Sequence, residues 1–185
     1  MAISLVKGQK VDIGLKKVGV GLGWDPNKAA GGADYDLDAS AFMLNANKKA
    51  PSEQHFVFYN NLRSPDGSVQ SMGDDRTGGS SEGDDETITV DLLSIDKEVQ
   101  EIIFVVSIDK AEERKQNFGQ VSNSFIRIYD ATSNAELCKY ELGEDFSIET
   151  CIEFGRLYRR DNQWRFEAMG NGVKTGLQGL ITKYV

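Results

Sequence analysis

The sequence predicts an all-β fold, an antiparallel two-sheet β-sandwich with short peripheral helices. Three observations carry that expectation. Apolar residues recur with period two, turn signals separate these runs at short intervals, and helical periodicity is confined to short pieces.

Val18, Val20 and Leu22 alternate with Gly19, Gly21 and Gly23; Ile88, Val90 and Leu92 alternate with Thr87, Thr89 and Asp91; Trp164, Phe166 and Ala168 alternate with Arg165 and Glu167. Each reads as a half-buried strand. Further strands are expected at HFVFYNN (55–61), EIIFVVSI (101–108), SFIRIYD (124–130), ELCKYEL (136–142) and IETCIEFGRLY (148–158), of which EIIFVVSI is apolar on both faces, as a central strand is. Turns are signalled by SPDG (64–67), LGED (142–145), RRDNQ (159–163) and GNG (170–172). Short helices are expected at SIDKEVQ and DKAEERKQ. A packed terminal helix is expected where Leu177, Leu180, Ile181 and Tyr184 fall at helical spacing, although Gly176 and Gly179 each weaken it by about 1 kcal/mol.

A chain of 185 residues with no internal repeat and no dividing linker is expected to form a single domain over residues 1–185. Its net charge of −8 and pI near 4.7 disfavour nucleic acid or an anionic membrane as an unaided partner and make cations the natural counter-partners. The N-terminus MAISLVKGQKVDI lacks a secretory pattern and no window is long and apolar enough to span a bilayer, so a soluble, cytoplasmic protein is expected. Cys138 and Cys151, with no CxxC and no neighbouring His, fit small buried residues in a reducing compartment.

The chemistry-bearing pattern is acidic. GADYDLDASAF (32–42) sets Asp34, Asp36 and Asp38 at alternate positions before an apolar run, which directs them to one side of an extended backbone, where repulsion must be offset by a cation, basic partners or water. From Asp66 to Glu86 seven acidic residues, among them Asp74, Asp75, Asp84, Asp85 and Glu86, face one base, Arg76. A DxDxD loop entering one strand and a Gly-rich acidic loop entering another can supply hard oxygen ligands at one end of the sandwich, which suits Ca²⁺ with its six to eight oxygens at roughly 2.3–2.6 Å. A solvated acidic surface is the plain alternative for residues 73–86.

Competing motifs fail on their spacing. Neither loop is an EF-hand: counting from Asp34 puts Ala39 where the turn glycine belongs and Asn45 where a bidentate Glu belongs, and counting from Asp75 puts Ser80 at the glycine position. DLDAS resembles a haloacid-dehalogenase nucleophile, but the polar NKAAGGADY precedes it where a buried strand is required. An adhesion-type DxSxS site fails at Phe42, and GVGLG (19–23) is followed by Trp24 where the GxGxxG spacing needs its last glycine, so its glycines are expected to make room for a close neighbour. His55, the only histidine, has no nucleophile at motif spacing and reads as a satisfied strand-end residue. Trp24 and Trp164 read as core by alternation.

MAISLVKGQKV, GLKKVGVGLGWD, DYDLDASAFMLN, FVFYNNLRSPDGSV, GDDRTGGSSEGDDETITVDL, RKQNFGQVSNSFIRI and FGRLYRRDNQWRFEAMGNG together resemble, essentially end to end, the TerD family of bacterial tellurite-resistance and stress-response proteins. The resemblance implies a two-sheet sandwich binding about two Ca²⁺ ions in acidic loops at one end, with a non-catalytic role in chemical stress. It implies other Ter proteins and a TerC-like membrane protein as partners, and thereby a peripheral place at the inner membrane. The family's acidic positions map onto Asp25, Asp34, Asp36, Asp38, Asn60, Asn61, Asp74, Asp75, Asp84, Asp85 and Glu86. Two departures are a shortened VDIGLKK segment and Asp109-Lys110-Ala111 where the pattern has His-Asp-Ala.

Two other functions would use the same carboxylates. A metal-dependent hydrolase would need a nucleophile and base that the sequence does not display. A C2-like lipid-binding module would need apolar or basic loop tips, which GGSSEG lacks.

Overall fold

The computed structural model describes residues 1–28, 31–73, 83–143 and 146–185. Among these, the strands are β1 (Ile3–Leu5), β2 (Lys10–Ile13), β3 (Lys17–Gly23), β4 (Leu37–Leu44), β5 (Phe56–Val57), β6 (Val69–Ser71), β7 (Glu86–Asp91), β8 (Glu101–Ile108), β9 (Phe125–Asp130), β10 (Glu136–Glu141), β11 (Cys151–Arg160) and β12 (Gln163–Val173). The helices are α1 (Ala111–Arg114) and α2 (Gly176–Tyr184). Two six-stranded sheets result, ordered β1-β10-β9-β3-β7-β6 and β2-β12-β11-β8-β4-β5.

The period-two runs behave as the pleat requires. Val18, Val20, Leu22, Ile88, Val90, Ile126 and Ile128 of the first sheet face Ala41, Met43, Ile102, Phe104, Val106, Phe154 and Phe166 of the second, and all are buried in one shared core. EIIFVVSI is β8 residue for residue, buried throughout between β11 and β4. Its other face, with Phe42, Leu44 and Phe56, lies under Leu180 and Tyr184 of α2. The outer face of the first sheet carries no helix among the described residues.

Four expectations need correction. HFVFYNN is strand only at Phe56–Val57, because the Asn61 amide donates to the carbonyls of Gln54 and Phe56 at 2.9 and 2.7 Å and folds the chain into a tight loop. SIDKEVQ is not a helix: the Asp96 carboxylate accepts from the Glu98 N–H at 2.9 Å, an Asx turn that competes with helical bonding. DKAEERKQ yields only the four residues of α1, ended by Lys115 in the left-handed region. One strand pair is parallel, since β1 runs alongside β10 with Ile3 opposite Cys138.

Two of the four expected turns follow their chemistry; GNG (170–172) is instead strand within β12, where Gly170 takes φ +59° beside a register shift, and LGED is described only as far as Gly143. RRDNQ is a two-residue hairpin with positive φ at Asp161 and Asn162. In SPDG, Gly67 takes φ +73°, and Asp66 accepts from the Ser64 hydroxyl (2.7 Å), the Ser68 N–H (2.9 Å), the Ser68 hydroxyl (2.7 Å) and the Asp96 N–H (2.9 Å). Burial works to raise the Asp66 pKa, but these donors together hold it below its ordinary value. A depressed carboxyl pKa contributes stability above the unfolded value and loses it as pH falls through the folded one. Asp66→Ala is therefore expected to cost about 1–2 kcal/mol at pH 7, with the difference from wild type closing below about pH 4, as read from urea melts at stepped pH.

Candidate functional site

The glycines of β3 build the approach to the acidic end. A Cβ at Gly19 would meet the Tyr129 ring at 2.0 Å, one at Gly21 the Asp84 carboxyl at 2.2 Å, and one at Gly23 the Phe125 ring at 2.5 Å. Three side chains thus lie flat across the outer face of the first sheet, which is the close approach expected of GVGLG. Asp84 is held there by both guanidinium nitrogens of Arg127, at 2.7 and 2.9 Å, and is only 7% exposed. That paired contact pushes the Arg127 pKa up, against the effect of burial.

Asp85 and Glu86 carry the chain into β7. The Asp85 N–H donates to the Leu22 carbonyl and its Oδ2 accepts from the Trp24 N–H, both at 2.8 Å, so the loop is stitched to the end of β3. Glu86 points inward between the sheets, where its Oε2 accepts from the Ala39 N–H of β4 at 3.3 Å. Each carboxylate thereby ties the start of β7 to a different strand.

The DYDLD stretch alternates as expected. Tyr35, Leu37 and Ala39 are buried, Asp36 and Asp38 half-buried, and Asp34 exposed. Asp36 lies 3.6 Å from the Arg114 guanidinium, which also reaches Asp109 at 3.9 Å, so a base offsets part of the repulsion that the aspartate run raises. The Gln116 amide clamps the carbonyls of Ala33 and Asp34 at 2.8 and 3.2 Å, and Asp109 N–H donates to the Asp36 carbonyl at 2.7 Å. The residues after β8 therefore fix the aspartates' backbone.

Two hollows flank the acidic segment. One, of about 270 Å³, is lined by Asp38 and Glu86 with Tyr59, Leu62, Ser71 and Gly73. The other, of about 280 Å³, is lined by Asp25, Asp85 and Glu141 with Trp24, Gly83 and Asn123. Asp25 accepts from the Asn123 amide at 2.8 Å and lies 3.8 Å from Lys28. Asn60 is exposed, and the Asn61 amide is engaged in its loop. Asp74 and Asp75 lie outside the described residues. Among the described residues, no group of three or more His, Cys, Asp or Glu side chains stands close enough to hold a metal ion.

Sequence reading missed a second charged cluster, beneath α2. Glu101 is 3% exposed and bonds Lys48 and Arg156, each at 2.7 Å; Glu153 is 6% exposed and accepts from the Tyr184 hydroxyl, with Lys183 at 3.5 Å. Burial, then the bond to Glu153, raises the Tyr184 pKa. The available signal was a glutamate on each of two strands whose neighbouring positions are apolar.

The thiols are inert in this fold. Burial pushes both Cys138 and Cys151 up to about 12, far from the thiolate that reacts or binds metal. The native protein is expected to resist iodoacetamide at pH 8 and to take two labels in guanidinium, as counted by intact mass. His55 is satisfied by the Ser52 hydroxyl at 2.9 Å. No helix among the described residues is long and apolar enough to cross a membrane.

Comparison with known proteins places this geometry. The chain is 51% identical over 189 residues to general stress protein 16U of Bacillus subtilis (strain 168), covering 100% of the chain and 97% of that protein. It is 46% identical over 189 residues to tellurium resistance protein TerD of Serratia marcescens, again covering 100% and 97%. A solved homologue of telluride resistance protein (TerD) from Streptomyces coelicolor A3(2) superposes with a TM-score of 0.69 at 23% identity, over 91% of this chain and 96% of that one, and so shares the fold. The TerD domain model matches residues 1–184, and the chain belongs to the TerD family.

Proposed function

We propose that this chain is a calcium-binding, non-catalytic protein of tellurium resistance and chemical-stress response. The names of its relatives, which speak of tellurium resistance and general stress rather than of a reaction, support the cellular half of that reading. The two hollows support the ionic half: Asp38 and Glu86 line one, and Asp25, Asp85 and Glu141 line the other.

The donors fit the group. Carboxylate, amide and hydroxyl oxygens are hard ligands suited to Ca²⁺, and both hollows adjoin the ends of a sequence segment rich in further carboxylates, Asp74, Asp75 and Glu82. In this reading Asp38 and Glu86 hold one ion and Asp25 and Asp85 the other. Asp34, Asp36, Asn60 and Asn61 shape the loops, and Asp84 is anchored by Arg127. A bound ion would supply positive charge where the chain has gathered negative charge, thereby ordering the acidic loops.

The partners proposed are calcium ions, other Ter proteins and a TerC-like membrane protein, with no nucleic acid. The proposed location is the cytoplasm, peripheral to the inner membrane through that protein partner. Ca²⁺ in hundredfold excess over Kd is expected to stabilise the fold by about 2.7 kcal/mol for each site filled. Calorimetric melts in excess Ca²⁺ and in chelator test this directly, and coincident melts would remove the reading. Mg²⁺, which demands near-octahedral geometry, is expected to give a smaller shift.

A further inference from the structure

On the outer face of the first sheet, where β3 begins and β7 ends, lies an open hollow of about 510 Å³ lined by Lys17, Arg63, Asp66, Ser68, Thr89 and Asp91 among others. Glu86 stands at the far end of β7 from it, so this hollow is distinct from the one that Glu86 lines. We propose that it is a binding site for a small oxyanion, of phosphate or carboxylate type, with Arg63 as the recognition residue.

Arg63 is distinctive for what it does not do. Arg114, Arg127, Arg156, Arg159, Arg160 and Arg165 each hold a carboxylate or backbone carbonyls. Among the described arginines Arg63 alone has no hydrogen bond, ion pair or ring contact. It is nevertheless positioned: a Cβ at Gly67 would meet its Nη2 at 2.8 Å and its Nε at 3.2 Å, so the guanidinium lies on the bare backbone of the SPDG turn. A planar fork laid down in advance suits a carboxylate or phosphate, since less side-chain freedom is lost on binding.

The two acidic residues in the wall keep their charge, but neither forms an ion pair with Arg63. Asp66 turns Oδ1 to Ser64 and Ser68 and Oδ2 to the Asp96 N–H, so both its oxygens are occupied within its own loop. Asp91 faces Lys17 at 3.5 Å and accepts from the Leu93 N–H at 3.1 Å. With those carboxylates bonded elsewhere, the guanidinium keeps its N–H donors for a ligand, and the Ser68 and Thr89 hydroxyls line the same hollow. The inference is independent of calcium.

The test is a titration of the ¹⁵N-labelled protein in chelator with inorganic phosphate, and separately with succinate, at ionic strength held constant with NaCl. Arg63→Gln removes the fork, Arg63→Lys keeps the charge alone, and Lys115→Gln removes one charge from the loop after α1 as a control. We expect saturable shifts of the Arg63 Nε–H and the Ser68 amide with one or both anions. Affinity should fall about tenfold in Arg63→Gln, partly recover in Arg63→Lys, and hold in Lys115→Gln. The anion that binds more tightly identifies the ligand type. Shifts that fail to saturate with either anion, or that weaken equally in Arg63→Gln and Lys115→Gln, overturn the assignment.

Discussion

Asp38→Asn combined with Glu86→Gln is expected to remove one site's share of the calcium-induced stabilisation while leaving the calcium-free protein at least as stable as wild type. Both substitutions keep shape and an acceptor oxygen, so the Ala39 N–H retains its partner from β7. What they remove is negative charge from the walls of one hollow, where Glu86 is only 5% exposed. Two carboxylates lining one hollow repel each other, and that repulsion disappears with their charge. The calcium response, about 2.7 kcal/mol for a single site at hundredfold excess, should fall to what the second hollow alone supplies. Melts of wild type and double variant, each with Ca²⁺ and with chelator, read both quantities. An undiminished response in the variant would show that these two carboxylates do not hold the ion.

Gly21→Ala is expected to destabilise by about 2–4 kcal/mol, a large effect for one methyl group on a sheet surface. The added Cβ would stand 2.2 Å from the Asp84 carboxyl carbon, within hard-sphere overlap, so Asp84 must leave its seat. Leaving breaks both bonds to Arg127, whose side chain is 20% exposed and would then lean on Glu136 at 3.4 Å alone. It also pulls on the turn that delivers Asp85 and Glu86 to the hollows. Stability and calcium response should therefore fall together in Gly21→Ala, whereas Gly14→Ala, with open space around its Cβ, should be near neutral. Chemical denaturation of the two variants decides between this and a glycine kept only for strand flexibility.

Much of the fold was legible because burial on one face of a sheet writes itself as alternation. β8 and the core faces of β3, β7 and β9 could be read off directly. β1 and β2 could not, since each buries only one residue, Leu5 and Ile13, and sits at a sheet edge. The loss of HFVFYNN beyond Val57 turned on a side-chain amide folding back on the backbone, which periodicity does not register. Of the site, the acidic residues announced themselves by type and spacing. Their bases did not: Arg114 and Arg127 lie 78 and 43 residues from Asp36 and Asp84, and only the packed sheets bring them together.

The parallel pairing of β1 with β10, and the antiparallel pairing of β2 with β12, have a consequence for synthesis. β1 and β2 find these partners only when residues 136–141 and 163–173 have been made. High sequence separation of this kind slows folding, because the chain must close long loops before the contacts repay the lost entropy. The N-terminal segment, with Ile3 and Val6 apolar and exposed even in the finished fold, therefore waits through most of translation without a β-partner. A nascent chain stalled before β10 is expected to be a substrate for chaperones and proteases, and β10 and β12 act as the closure of the fold rather than as an appendage to it.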